Sequence, residues 1–204
     1  MTREHLAIVS AVLTAVCVVP YLRDVHRGTT RPQRASWFVF AAVSVVASLS
    51  QLAAGGGAGA WLSAGSAVGF SAVFVVSIRH GVGGWSPVDR VVLLIAIAGV
   101  AASVVSSRAL VAVVAVVAAE AVAIALTARK AGNDPGSETT STWTVDLLAG
   151  VVAIAAVVHV SVVDLLYPIH HTLANAAVLG AIGLGRTRNR PDRLGGTAKL
   201  VSHI

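Results

Sequence analysis

The chain has 204 residues, 56% hydrophobic and 12% charged, with a formal net charge of +6 and a mean hydropathy of +0.82. A water-facing domain carries about 25% charged residues, so the composition excludes an ordinary soluble surface and predicts a multi-pass protein of the cell membrane. Nucleic-acid binding is excluded as well, because Lys and Arg fall between apolar runs instead of forming one basic face. The single Cys17 excludes a disulfide framework or a multi-cysteine metal site.

A spanning helix needs about 20 mostly apolar residues, and seven runs bounded by charge, Gly or Pro meet that length. In chain order they cover residues 6–22, 37–54, 60–78, 88–105, 109–128, 143–160 and 165–184. The first run ends in Pro20, Tyr21, Leu22 and Arg23 without a small-residue cleavage site, so it is expected to be retained as a span. Connections 23–36 and 129–142 are too short for a second domain, and the polar tail from Arg186 is expected to be disordered.

The basic residues set an orientation. With the N-terminus outside, the inner segments hold Arg23, Arg27, Arg31, Arg34, Arg79, Arg90, Arg129, Lys130, Arg186, Arg188, Arg190, Arg193 and Lys199, while the outer ones hold Arg3 and Arg108. This bias holds only for an odd number of spans, so it independently predicts seven helices with the C-terminus inside. Trp37 and Trp143 begin spans at the inner interface and Trp61 begins one at the outer, where amphipathic rings are expected to meet headgroups.

Shifting the chain by 106 residues lays the first three runs over the last three, placing Trp143 on Trp37, Arg129 on Arg23 and Thr142 on Ser36. The expected fold is therefore all-α, with seven transmembrane helices in a 3+1+3 arrangement of parallel repeats about an axis along the membrane normal. Its parts are a first three-helix repeat (residues 1–80), a linker helix (81–107), a second repeat (108–185) and a cytoplasmic tail (186–204).

The segment Pro20-Tyr21-Leu22-Arg23-Asp24, continuing through Arg27-Gly28-Thr29-Thr30-Arg31-Pro32 to Ser36-Trp37, resembles the PQ-loop signature, with Tyr21 where Gln is usual. Over nearly its whole length the chain is similar to a family of uncharacterised seven-span prokaryotic membrane proteins. The residues behind that similarity are Gly28 to Pro32, Ser36-Trp37, Gln51, Gly57-Ala58-Gly59-Ala60-Trp61, Leu166-Tyr167-Pro168 and Ala174-Asn175. The resemblance implies a SWEET-like transporter fold in which Asn175 touches the solute. It departs from the pattern at Leu126, which takes the repeat position of Pro20, and at Gly69, which takes that of Asn175.

Ionisable groups at membrane depth are costly and default to functional candidates. Glu120 lies midway along the fifth run, where it either couples to protons or solute or makes a structural hydrogen bond. Tyr167, His171 and Asn175 are spaced four apart and share one helix face, a polar stripe suited to lining a cavity. His170 points about 100° away and aligns loosely with Asp164, and His159 sits near the outer end of the sixth run. Near the outer interface, His170 and His171 read more readily as solvated or headgroup-facing groups than as mechanistic ones. Pro168 removes a backbone donor and frees the carbonyl of Asp164. Asp146 is expected to pair with Arg129 and Lys130 at the inner interface, and Asp24 with Arg27.

Gly65 with Gly69, and Gly55 with Gly59, have small-xxx-small spacing that lets helices approach closely and makes a homodimer conceivable. The adjacent His170 and His171 make a poor metal pair, no phosphate loop is present and no nucleophile has a paired base, so neither an enzyme nor a cofactor or metal is expected. The favoured reading is a carrier of a small polar solute, its site formed by Glu120, Tyr167, His171 and Asn175 and its gates by Pro20 and Pro168. The alternative is a non-transporting receptor or accessory subunit whose basic loops hold a cytosolic partner or anionic membrane lipid.

Overall fold

The computed structural model describes residues 2–53, 58–84, 86–105, 109–158 and 160–189, and their elements are helical apart from one isolated bridge between Gln33 and Val82. Helices α1 (Arg3–Val16) and α2 (Val18–His26) form one rod jointed at Cys17, followed by α3 (Arg34–Ala53), α4 (Ala58–His80) and α5 (Pro87–Val105). Then come α6 (Ala109–Asn133), a short 3-10 turn (Pro135–Ser137), α7 (Thr140–Ala156) and α8 (Val162–Arg188).

Local chemistry explains the joints and ends. Pro20 has no N–H to give the carbonyl of Val16, so the helix hydrogen-bond ladder is broken one turn earlier, at Cys17. Arg27 caps α2, and Gly28 then turns the chain with φ +73°, a conformation that costs a glycine nothing. Thr2 and His5 form a reciprocal capping box at the start of α1, and Ser161 accepts from the Asp164 amide to start α8.

Among the described residues, three helical stretches are long and apolar enough to cross a membrane: Arg3–His26, Ala60–His80 and Asp164–Arg188. Large apolar side chains point outward, with Val68 69% and Leu184 73% exposed, whereas Ser10, Thr14, Ser44, Ser63, Ser66 and Thr127 are buried. Such an inside-out distribution suits a lipid surround.

Several boundaries differ from the sequence reading. α6 runs on to Asn133, α7 stops at Ala156 instead of reaching residue 160, and α8 continues to Arg188. Arg186 to Arg188 therefore belong to the last helix and not to a disordered tail. Residues 190–204, His159, Arg108 and the Gly55 and Gly57 positions lie outside the described residues.

The rods pack in a repeated order. α4 lies between α1 and α3, and α8 lies between α6 and α7, while α1 meets α7 and α3 meets α6 across the seam. α5 leans on α6 and α3. Gly65 and Gly69 let α4 reach α1: a Cβ on Gly69 would lie 3.1 Å from the Thr14 carbonyl oxygen and 3.3 Å from Val18.

Candidate functional site

On α7, residues Thr142, Trp143, Asp146, Ala149, Gly150 and Ala153 recur at helical spacing and form its buried face. Gly150 sets how closely α8 approaches that face, because a Cβ there would come within 3.2 Å of both the His171 ring and the Thr172 amide. Without a side chain at this position α8 closes on α7 and brings His171 to Asp146.

Asp146 is the hub. Its Oδ1 accepts from the Thr14 hydroxyl on α1, and its Oδ2 accepts from Asn175 Nδ2 at 3.1 Å. His171 Nε2 stands 3.1 Å from the same Oδ2. Three helices from both sides of the seam thus converge on one buried carboxylate. The expected ion pair of Asp146 with Arg129 and Lys130 is not formed. Asp146 faces inward, and Lys130 pairs with Glu138 at 2.5 Å.

Glu120 on α6 is 3% exposed and lies 3.3 Å from His170 Nε2. The looser alignment of His170 with Asp164 gives way to this contact, while Asp164 accepts from Ser161 Oγ at 2.6 Å. Tyr167, His171 and Asn175 do share one buried face of α8. The Tyr167 and His171 ring centroids are 6.1 Å apart, and Asn175 Nδ2 also donates to the His171 carbonyl at 2.9 Å. Pro168 leaves α8 unbroken, and its carbonyl accepts from Thr172 at 2.9 Å.

Between the two helix units lies a cavity with about 20 Å³ of room for the centre of a water-sized group. Glu120, Thr142, Asp146, His171 and Asn175 supply its polar wall, all from the second unit, while Trp37, Phe40, Phe70 and Trp143 supply aromatic walls. Tyr167 is not part of that lining and sits beside Ser44 and Ser66. Trp37 and Trp143 depart from the interfacial expectation: they are 1% and 4% exposed, with ring centroids 6.0 Å apart. The two rings meet in the interior, tilted by 40° to each other. Tyr21 accepts from Trp37 Nε1 at 3.2 Å and holds that ring in place.

Contacts join the helices at both ends of the bundle. At the basic end, Thr30 and Thr139 hydroxyls meet at 2.8 Å, and Thr139 donates to Asp24 Oδ2 at 2.9 Å. The Arg31 amide donates to the Ser137 carbonyl at 3.1 Å, and Lys130 reaches the Arg31 carbonyl. Asp24 thus serves the facing loop, and the expected Asp24–Arg27 pair is not formed. Glu138 is buried just beneath, accepting from Trp143 Nε1 at 2.9 Å. Burial pushes its carboxyl above the usual carboxylate range, and Lys130, Trp143 and Tyr21 pull it partly back. At the opposite end Arg3 donates to the Ala155 and Val157 carbonyls, tying α1 to α7.

Sequence reasoning missed Asp146, Thr14, Thr142 and the aromatic walls as site residues. The spacing of Trp143 and Asp146, three apart on one helix face, was the available signal. No group of three or more His, Cys, Asp or Glu able to hold a metal ion occurs among the described residues. Comparison of the chain with family models, with curated proteins and with solved structures finds no match.

Proposed function

We propose that the chain is a multi-pass protein of the cell membrane that carries a small polar solute by alternating access between two three-helix units. In this reading the helices form a seven-span 3+1+3 arrangement with parallel repeats, the N-terminus outside and the basic end inside, as in PQ-loop and SWEET-like carriers. The observation that carries it is the cavity on the seam, where Glu120, Asp146, His171 and Asn175 meet aromatic walls between helices that repeat one packing order. Burying Glu120, Asp146, His171 and Asn175 together at that depth is costly for a purely structural core. In this reading the contacts at the two ends of the bundle are the gates. Opening requires the Thr30, Thr139 and Asp24 contacts to part at the basic end, with the joint at Cys17 above Pro20 as the flexing point, or the Arg3 contacts at the other.

Alternating access is testable without knowing the solute. In a Cys17→Ser background, Ala174→Cys puts one thiol on the cavity wall. In oriented proteoliposomes it should react with an impermeant maleimide from either face. Reaction from one face alone, or from neither, removes the carrier reading. It would favour instead a non-transporting receptor or accessory subunit, a role that the cavity's small volume and the exposed basic Arg31 also suit.

A further inference from the structure

The cavity's unfilled hydrogen-bonding capacity identifies the class of solute. Asn175 Nδ2 has two partners, Asp146 Oδ2 and the His171 carbonyl, and both are acceptors. That fixes the amide's orientation and leaves Oδ1 as an acceptor. Oδ1 is buried and has no partner within the protein. Thr142 Oγ1 is likewise buried without a partner. Glu120 Oε2 makes no hydrogen bond either, its neighbour His170 Nε2 standing at 3.3 Å but out of line. All three residues line the same cavity. Groups this deeply buried are normally satisfied, and each orphan costs roughly 1–3 kcal/mol.

With His171 Nε2 directed at Asp146, a partner that donates hydrogen bonds satisfies all three orphans, since the Thr142 hydroxyl accepts as well as donates. It must also suit a wall where Asp146 is already matched by His171, Thr14 and Asn175, where Glu120 faces His170 alone and where no Lys or Arg is present, against aromatic rings whose π faces attract cations. It must finally fit where about 20 Å³ is open, room for one water-sized group. An ammonium group meets all three demands: it is water-sized, cationic and purely a donor. We infer that the cavity takes a small protonated amine, its N–H groups donating to Glu120 Oε2, Asn175 Oδ1 and Thr142 Oγ1 between Trp37, Phe70 and Trp143. This deepens the carrier reading and rests on the same cavity.

The test is thermal unfolding of the full chain in detergent, with methylammonium chloride as probe and sodium chloride at equal ionic strength as reference. A ligand that binds only the folded state raises the melting temperature, here by roughly 2–4 °C or more near saturation. Tetramethylammonium, a cation without N–H, should give less than half that shift. Glu120→Gln and Thr142→Val, both close in shape to the native side chains, should keep a sharp transition and lose most of the methylammonium response. The inference is overturned if methylammonium does no more than sodium, if tetramethylammonium matches it, or if both variants respond like the native chain. A shift with glucose or glycine but none with methylammonium also overturns it, while leaving the carrier reading intact. Two-sided labelling of Ala174→Cys decides that reading separately.

Discussion

His170 and His171 are consecutive on α8 yet face carboxylates on different helices, His170 towards Glu120 of α6 at 3.3 Å and His171 towards Asp146 of α7 at 3.1 Å. Successive residues on a helix diverge by about 100°, so this pair makes α8 a wedge fastened on both sides. Asp146 then extends the fastening to Thr14 of α1, across the seam.

Asp146→Ala should therefore be among the most destabilising single changes, because it strands His171 and Asn175 in the interior. Removing one partner of a buried pair costs about 3–5 kcal/mol. The His171→Ala change should cost a similar amount, and the double variant clearly less than the sum, since both delete one shared interaction. Unfolding in mixed micelles measures all three, and strict additivity would show that the two residues act independently.

The loops at the basic end form a latch that can be loosened without touching the cavity. Thr139→Val removes the bonds to Thr30 and Asp24 together. Each is worth about 1 kcal/mol net, so the open form should gain several-fold to about thirtyfold in population. The expected outcome is faster maleimide labelling of Ala174→Cys from the basic side, with labelling from the other side unchanged or slower. Equal acceleration from both sides would mean that the substitution loosens the whole bundle.

Glu138 gives a pH dependence with a definite sign. Burial raises its folded-state value above the ordinary 4.5, so the folded chain binds this proton more tightly than the unfolded chain does. That contribution to stability is complete below pH 4.5 and is lost as pH rises through the raised folded-state value. Glu138→Gln cannot ionise and should flatten this part of the curve. Melting temperatures of both proteins across pH 4 to 8 provide the check, and parallel curves would exclude Glu138 as the source.

Much of the architecture was legible in the sequence because helix length, apolar content and basic bias are properties of runs, which a linear reading sees. The site was less legible because it depends on which faces meet. Asp146 reads as interfacial from its distance to Lys130 along the chain, whereas the rotation of α7 turns it towards α1 and α8. Trp37 and Trp143 read as headgroup anchors for the same reason. The stripe of His171 and Asn175 was visible, since both lie on one face of one helix. Their shared partner Asp146 on α7, and through it Thr14 on α1, was not.

Two glycines separate close helix approach from mere tolerance. At Gly65 an added Cβ would lie 2.7 Å from Thr14 Cγ2 and 2.9 Å from the Ala11 carbonyl carbon, on a backbone that cannot swing aside. Gly65→Ala must push α4 away from α1, and overpacking of this kind costs roughly 1–3 kcal/mol. Because Thr14 is displaced as well, its bond to Asp146 should weaken and carry the damage into the cavity. Gly180 on α8 has nothing within 4 Å of the added atom. There the substitution should be neutral or stabilise by about 0.5–1 kcal/mol, through the lower backbone entropy of alanine in a helix. Melting temperatures of the two variants side by side test the pair, and equal destabilisation would mean that close contact between α1 and α4 is not what Gly65 provides.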